Sequence, residues 1–302
     1  MTSALELSIV VAVKDAEANL PRFLEALGRL SSECELLLCF AGPAPTLPAK
    51  LEAQVIAATD DMLIPQLWRD GIIAARGRRV ALTTAQCIPA SDWLQRSRNA
   101  DIGRWAGIGG AIANDPNATL ANWAIFFLRY SAFAHEVKGG VTGEIAADNA
   151  IYDRAAVLAC RDLLEEGFWE PNFHRRFHEA GRELWLDPGL LVTHYGVASP
   201  RAFARQRLAH GYEYGLERGS RATSPVRLVL LFRSPVLPLL IVARVLRRMT
   251  ARPAYRRHLL PSLPWLLVFA CAWGLGEATG YAAALAKAPP FNAIFRRGRK
   301  DQ

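Results

Sequence analysis

R-D-G-I-I-A-A-R-G-R-R-V-A-L-T-T-A-Q-C-I-P-A-S-D-W, residues 69–93, is the stretch that decides the predicted fold. It predicts a helix with one apolar side that ends near Gly77, followed by the short apolar strand Val80–Leu82. The strand opens into a polar turn at Thr83–Gln86, and Pro89 stops further pairing. Because open α/β sheets bind ligands beyond the carboxyl ends of their strands, the turn is the first place to expect a ligand.

The residues before this stretch alternate between strand and helix patterns. Buried parallel strands are expected at Leu5–Val13, Glu35–Phe40 and Gln54–Ala58. With 302 residues the chain can form one large domain with an appendage. The pattern therefore predicts an α/β fold.

Charge is unevenly distributed along the chain. Residues 201–302 hold 18 Lys/Arg against 4 Asp/Glu, a net +14, whereas residues 1–200 hold 18 against 24, a net −6. Hydrophobic residues make up 51% of the chain. A basic, apolar tail favours a bilayer surface as partner, and the absence of a nucleic-acid-binding motif argues against nucleic acid.

Five cysteines are scattered without a C-x-x-C pair, and no histidines stand at zinc-finger spacing. This pattern favours a reducing compartment and no structural metal. Lys14-Asp15 ends the first apolar run early, and no signal peptide is expected. The body of the protein is therefore predicted to lie in the cytoplasm.

The motif residues resemble those of the family 2 glycosyltransferases, enzymes of the Rossmann-like GT-A fold. There an R-N-x-G-x-x-x-A-x-G helix leads to an apolar strand that ends in Asp-x-Asp, and a proline follows. The positions that fit are Gly71, Ala75, Gly77, Cys87, Pro89 and Trp93. Trp68-Arg69 replaces the Arg-Asn pair, and Thr84-Ala85-Gln86 replaces Asp-x-Asp. The resemblance implies a GT-A glycosyltransferase-like domain over residues 1–220, with a mixed and mainly parallel sheet flanked by helices.

A second segment, Gly167–His194, resembles the family's E-D-x-x-x-x-x-R-L-x-x-x-G motif, whose second acidic residue is the catalytic base. Glu170 takes that position, and Trp169 replaces the first acidic residue. The proline that follows predicts a helix with Glu170 as its N-cap, so Glu170 as a cap alone is the structural alternative. His174 and His178 are predicted to be surface histidines rather than a metal pair.

Acceptor contacts are implied at Asp148, Asn149 and Trp169. Residues 146–154 resemble the family's G-N-x-A-x-R-R segment, which lines the acceptor side of the sugar. The amide of Asn149 both donates and accepts, which suits hydroxyl recognition. The alternative is a simple turn before a helix.

The donor contacts that we infer are Asp15, Asp61, Arg69, Thr84, Ala85, Gln86, Arg205 and Arg207. Asp15 is equally well explained as a helix cap, and Asp61 as part of a solvated loop. Arg205 and Arg207 belong to a segment similar to the Q-x-x-R-W helix of some family members, and they suit either a diphosphate or lipid head groups.

The metal expectation follows from the altered motif. Thr84 and Gln86 are neutral and therefore poor ligands for hard cations. His194 corresponds to the family's histidine that can complete a metal site, which makes it a weak candidate only. We expect no required cofactor, or weakly bound Mg²⁺ or Mn²⁺.

Residues 221–302 form a predicted membrane-associating helical tail. Leu228–Leu246 is apolar but interrupted by arginines and prolines, which suits an interfacial or re-entrant helix. Leu259–Leu285 is longer, and basic residues flank both segments, including Arg296, Arg297, Arg299 and Lys300. A hairpin dipping into the cytoplasmic leaflet of the cell's inner membrane fits both flanks, and a single crossing is the alternative.

The resemblance implies inverting transfer from a nucleotide-sugar donor to a lipid-linked or polysaccharide acceptor. A catalytically inactive glycosyltransferase-like binding or scaffolding protein is the alternative, because the metal motif is replaced.

Overall fold

The computed structural model describes residues 5–48, 51–196 and 199–286, which belong to two compact units. Unit 1 comprises the residues up to 116 together with 132–197, and unit 2 comprises 117–131 together with the residues from 198 onward. The sequence-based division at residue 220 separates a transferase domain from a tail. That functional division stays a prediction, and the compact units divide the chain at other positions.

Unit 1 is built on a sheet of nine strands among the described residues. They are β1 Leu7–Val13, β2 Cys34–Ala41, β3 Gln54–Ala58, β4 Arg79–Thr84, β5 Cys87–Pro89, β6 Gly107–Asn114, β7 Gly140–Thr142, β8 Asn149–Asp153 and β9 Leu184–His194. Their order is β3-β2-β1-β4-β8-β6-β9-β5, and β7 pairs with β9. The longest pairs are parallel, whereas β8 runs antiparallel to both of its neighbours.

Helices accompany the sheet and make up most of unit 2. In chain order they are α1 Leu20–Leu27, α2 Ile64–Ala74, α3 Trp93–Arg98, α4 Leu120–Tyr130, α5 Arg154–Ala159, α6 Arg161–Leu164, α7 Glu170–Glu179, α8 Pro200–Arg221, α9 Ser224–Arg233, α10 Leu237–Met249 and α11 Pro253–Leu285. Unit 2 holds α4 and α8 to α11. The predicted fold class, a mixed and mainly parallel α/β sheet flanked by helices and followed by apolar C-terminal helices, is confirmed.

The core of unit 1 is centred on β1, all of whose residues are buried. Helix α2 packs directly on this strand. The contact is so close that a Cβ added at Gly71 would overlap the Val10 side chain. Trp68 of the same helix is buried and donates from Nε1 to the backbone oxygen of Thr83 at 2.8 Å. Close packing on the sheet therefore explains why glycine and tryptophan occupy these two motif positions.

The strand order creates a switch point between β1 and β4. From β1 the chain adds β2 and β3 on one side and then returns to place β4 on the other side. The loops that leave β1 and β4 therefore diverge, and ligands of open α/β sheets bind in the crevice between such loops. Here those loops begin at Lys14 and Ala85.

In unit 2, α8 and α11 approach each other through facing glycines. A Cβ added at Gly211 would overlap the backbone oxygen of Trp273, and one at Gly215 would overlap that of Glu277. The converse holds at Gly276, where an added Cβ would overlap the backbone of α8. Because glycine has no Cβ, the two backbones can come into direct contact.

Two helical runs of unit 2, Ser224–Met249 and Pro253–Leu285, are long and apolar enough to cross a membrane by length and composition. Each run contains an apolar window of 18 residues. In Ser224–Met249, 11% of that window is buried, and in Pro253–Leu285, 39% of it is buried. The interruption predicted near Arg233 and Pro235 is a single 3-10 turn that joins α9 to α10. The basic residues 296–300 lie outside the described residues.

Replacing Gly276 by valine should destabilise unit 2 strongly. The new side chain would meet backbone, which cannot move aside as a flexible side chain can, so we expect a loss of about 2 kcal/mol or more. Thermal unfolding of the full chain in detergent measures this. Ala282→Val is the control, because Ala282 is exposed on the same helix. Equal unfolding midpoints for the two variants would contradict the close approach of α8 and α11.

Candidate active site

The loop after β1 places Asp15 at the switch point. Asp15 is exposed and has a positive φ of 53°, a conformation that aspartate tolerates better than most residues. The preceding Lys14 donates from Nζ to the backbone oxygens of Asp60, at 2.9 Å, and Met62, at 2.6 Å. These bonds tie the loop after β1 to the loop after β3, so that Asp15 is held beside the crevice.

The turn after β4 is fixed on both sides. The backbone N–H of Ala85 donates to the Ala12 oxygen at 3.1 Å, and the Gln86 oxygen accepts from the Tyr195 N–H at 2.8 Å. The side chain of Gln86 lies 3.2 Å from His194, measured from Oε1 to Nε2. His194 is buried and contacts an amide here, in the place where the sequence suggested a weak metal ligand.

Thr84 supplies a polar group without a partner at this turn. Its side chain is 5% exposed, and its Oγ1 has no hydrogen-bond partner among the described residues. A buried hydroxyl without a partner is uncommon in folded proteins, and a water, an ion or another molecule can complete its bonding. Thr84 lies at the carboxyl end of β4, beside the switch point.

The amino end of β8 meets the same edge of the sheet. Asn149 is the register partner of Thr83, so Asp148 lies level with Thr84, the last residue of β4, and Ala147 lies just beyond that end. The Thr83 hydroxyl donates to the backbone oxygen of Asp148 at 2.9 Å. The Asp148 side chain is 7% exposed.

Asn149 itself is fully buried and bonded to protein on all sides. Its Oδ1 accepts from Trp93 Nε1 at 2.8 Å. Its Nδ2 donates to the backbone oxygens of Ala111 and Leu190, each at 2.9 Å. The amide predicted to recognise an acceptor hydroxyl thus connects α3, β6 and β9 to β8 in this conformation.

Glu170 reaches the edge from α7. Its Oε1 accepts from the backbone N–H of Ala147 at 2.8 Å, and the residue is half-buried. The prediction that Glu170 is the N-cap is wrong, because the N-cap is Trp169 and Glu170 is the first helical residue. Its carboxylate holds the loop before β8 instead of capping its own helix. The predicted role as catalytic base is a separate matter and stays a prediction.

The remaining residues that were predicted to contact a donor or acceptor do not all lie at this edge of the sheet. Arg69 donates hydrogen bonds to the Asp70 side chain and to the backbone oxygen of Glu165. Its guanidinium therefore links α2 to the segment that precedes α7. Asp61 accepts from the Thr59 hydroxyl at 2.6 Å in the loop after β3. Trp169 donates from Nε1 to the backbone oxygen of Glu166 at 3.3 Å. Arg205 and Arg207 belong to α8 of unit 2.

The prediction that His174 is a surface histidine is wrong. It is 2% exposed rather than a surface residue, and its Nε2 lies 3.0 Å from the buried Tyr152 hydroxyl. Burial lowers the pKa of His174 to about 4, with a smaller contribution from His178. His178 is exposed, as predicted, and contacts the backbone oxygen of Gly143. Among the described residues, no group of three His, Cys, Asp or Glu side chains is arranged to hold a metal ion.

Several residues of this edge escaped sequence reasoning. Lys14 and Thr83 donate hydrogen bonds to backbone oxygens of segments that are distant in sequence, and only the fold reveals those partners. Trp93 lies in the matched motif, but its hydrogen bond to Asn149 spans 56 positions. The doublet Gly109-Gly110 was a usable signal, because a Cβ added at Gly110 would overlap the Asn149 amide.

No family model matches the chain, and no curated protein matches its sequence. Among solved structures the chain is similar to the mannosyltransferase PcManGT from Pyrobaculum calidifontis, in complex with GDP-Man and Mn²⁺. The TM-score is 0.47 and the identity 12%, over 98% of this chain and 79% of that one.

Asn149→Ala should destabilise unit 1 by roughly 3 kcal/mol or more, because it leaves one buried donor and two buried acceptors without partners. Chemical unfolding of the full chain, followed by tryptophan fluorescence, measures the change. Asn99→Ala is the control, since Asn99 is exposed in the loop after α3. Unchanged stability together with weaker acceptor use would instead assign Asn149 to acceptor binding.

Proposed function

We propose that the chain is a glycosyltransferase that binds a nucleotide-sugar donor at the switch point of unit 1 and uses Glu170 as base. The observation that carries this proposal is the hydrogen bond between Glu170 and the Ala147 N–H. It holds a carboxylate beside the edge where β4 ends and β8 begins. Asp15 and the Thr84–Gln86 turn border the same edge.

The donor is proposed to lie across the crevice between the loops after β1 and β4. Asp15 offers a carboxylate to the ribose or base, and the unpartnered hydroxyl of Thr84 offers a hydrogen bond. Both loops are braced by bonds to neighbouring segments, so that these groups are held in place before the ligand arrives. Asp61, in the loop after β3, flanks the same crevice.

The reaction follows from the placement of Glu170. Its carboxylate removes the proton from an acceptor hydroxyl, whose oxygen attacks the anomeric carbon of the donor sugar. The carbon–oxygen bond to the diphosphate breaks in line, which inverts the configuration, and a nucleoside diphosphate leaves. The first helical turn favours negative charge, so the position suits an ionised carboxylate. Asp148 and Trp169 lie beside Glu170 and are proposed to meet the acceptor, a lipid-linked molecule or a polysaccharide.

Metal dependence is proposed to be weak. The turn that resembles the Asp-x-Asp site carries Thr84 and Gln86, and Gln86 is engaged with His194. Mg²⁺ and Mn²⁺ prefer carboxylate oxygens, so these neutral groups would hold them poorly. The altered turn also supports the alternative, a non-catalytic glycosyltransferase-like scaffold.

Glu170→Gln should reduce turnover by roughly two to four orders of magnitude, the usual worth of a general base. Donor affinity should hardly change, because the base faces the acceptor. The measurements are transfer and donor hydrolysis over a panel of UDP-, GDP- and dTDP-sugars, with and without EDTA, and donor binding by calorimetry.

The matched control is Glu166→Gln, which makes the same change at an exposed position of the preceding loop. Full turnover in Glu170→Gln would remove the assignment of the base. A wild-type protein that binds a donor but transfers nothing would favour the scaffold. Turnover that depends strongly on Mn²⁺ would refute the proposal that metal dependence is weak.

The helices of unit 2 are proposed to bind the cytoplasmic face of the cell membrane. Large apolar side chains are exposed on them, including Phe232 at 78%, Leu239 at 63% and Leu260 at 68%. Exposed arginines gather where α10 meets α11, at Arg244, Arg247, Arg248, Arg256 and Arg257. Exposed apolar side chains beside a basic cluster match the acyl chains and anionic head groups of a bilayer.

Full-length protein should therefore sediment with membranes, and alkaline carbonate should extract an interfacial tail more readily than a spanning one. The triple variant Phe232→Gln, Leu239→Gln and Leu260→Gln should shift protein to the soluble fraction. Ile73→Gln is the control, because Ile73 is 58% exposed on unit 1. Wild-type protein that stays soluble at low salt would contradict the membrane proposal.

A further inference from the structure

A cavity lies on one face of the sheet of unit 1, where α3 covers the strands β6, β8 and β9; it is here called the α3–β9 cavity. Its volume is about 490 Å³, within the roughly 300–1,000 Å³ of ordinary small-molecule sites. Ile108, Ile151 and Leu190 are buried and form its apolar part. Ile108 is the register partner of both Ile151 and Trp185, so one row of side chains across three strands lines the cavity.

The α3–β9 cavity is separate from the candidate active site. Both β4 and β6 run antiparallel to β8, and β9 runs parallel to β6, so β4, β6 and β9 point the same way. Trp185 is the second residue of β9, and Trp105 lies just before β6. Both tryptophans therefore lie towards the edge of the sheet opposite to the one where Thr84 ends β4. A ligand of this cavity would not occupy the donor crevice.

Two stacked tryptophans form one wall of the cavity. The rings of Trp105 and Trp185 have centroids 4.9 Å apart and an interplanar angle of 26°. The Ala106 N–H donates to the Glu183 oxygen at 2.9 Å, which ties the segment before β6 to the segment before β9 and holds the rings together. Arg104 lies over the Trp105 ring, 4.7 Å from its centroid, and Trp105 is buried. The half-buried Trp185 therefore offers the accessible indole surface.

Hydrogen-bonding side chains form the polar rim of the cavity. Four of them are spaced along one face of α3 and its two ends: Asp92, Gln95, Arg96 and Asn99. Arg96 donates to Asp92 at 2.6 Å, and its guanidinium lies so close to Gly189 that a Cβ added there would overlap it. The Gly189 N–H donates to Asp187 at 2.9 Å. Both carboxylates are thus held in place, and each has further lone pairs with which to accept from a hydroxyl.

This combination suits a neutral carbohydrate. One face of a pyranose ring presents C–H groups that pack on an indole, and its hydroxyls both donate and accept, which matches carboxylates and amides. An anion would face Asp92, Asp101 and Asp187, with Arg96 as the single cation among the described lining residues. A cation would meet Arg96, which is already paired with Asp92, and Arg104 beside the tryptophans. A ligand without charge avoids both conflicts.

We propose that the α3–β9 cavity is a binding site for a neutral carbohydrate. Trp185 supplies the stacking ring, and Asp187 and the α3 rim supply the hydrogen-bond partners. The site binds a glycan and performs no reaction, so it would hold a sugar chain on unit 1 away from Glu170. It does not depend on whether unit 1 transfers a sugar.

The test measures oligosaccharide binding to full-length protein in a detergent without a sugar head group. The probes are a panel of neutral gluco-, galacto-, manno- and N-acetylated oligosaccharides, with choline and inorganic phosphate as the charged comparisons. Isothermal titration gives the affinities, and saturation-transfer NMR identifies the sugar protons that contact the protein. Members of the panel should bind saturably, with the strongest transfer to the C–H protons of one ring face.

Trp185→Leu keeps an apolar side chain but removes the flat ring, and it should weaken oligosaccharide binding by about tenfold or more. Trp265→Leu is the matched control, because it makes the same change at a tryptophan of unit 2 that is 37% exposed. The double variant Gln95→Ala with Asn99→Ala changes two exposed positions of the rim. It should also weaken binding while the unfolding temperature stays that of the wild type, which separates loss of the site from loss of the fold.

Several results would overturn this site. They are saturable binding by no member of the panel, equal losses in Trp185→Leu and Trp265→Leu, or binding of choline or phosphate as tight as that of the best oligosaccharide. Oligosaccharide binding that is lost in Glu170→Gln but kept in Trp185→Leu would move the sugar to the candidate active site. Donor affinity should be unchanged in Trp185→Leu, so failure of this site and failure of the proposed transferase are separate results.

Discussion

The hydrogen bonds of one buried amide hold the centre of unit 1 together. Asn149 accepts from Trp93 of α3 and donates to backbone oxygens of Ala111 and Leu190, so a single side chain joins one helix to three strands. No other residue type of this size supplies one acceptor and two donors in a plane. Because β8 begins at Asn149, the amide also fixes where Ala147 and Asp148 leave the sheet. The bond from Ala147 then holds Glu170, so the position of the proposed base depends on the hydrogen bonds of Asn149.

The turn after β4 shows how this edge can differ from the sequence pattern it resembles. Two carboxylates there would need a cation or a positive neighbour to offset their repulsion. Here Gln86 instead bonds His194 across to β9, and Thr84 keeps a buried hydroxyl. These neutral groups are poorer ligands for a hard cation than carboxylates are. Stabilisation of a departing diphosphate must then come from backbone N–H groups, cationic side chains or a weakly held metal, and each of these is compatible with the proposed reaction.

Much of the sheet was predictable because its signals are local. Apolar runs marked β1 to β4. The site was less predictable, since its partners are distant in sequence. The N-cap of α7 was placed one residue too late, at Glu170 instead of Trp169, because the cap depends on backbone angles at Trp169. His174 was taken for a surface residue because the helical pattern of α7 does not reveal that Tyr152 lies above it. The grouping of α4 with the C-terminal helices left no local signal, because contacts between buried aromatic side chains decide it.

The grouping of α4 with α11 has a consequence for the order in which the protein can fold. Trp123 of α4 stacks on His258 with ring centroids 4.0 Å apart, and Phe126 stacks on Tyr255 at 5.8 Å. During synthesis α4 leaves the ribosome long before α11 does, so its aromatic face has no partner while unit 1 is being completed. Apolar surface exposed for that long invites aggregation. A nascent chain with such a delay gains from early contact with a chaperone or a membrane, and the core of unit 2 closes only after α11 has been made.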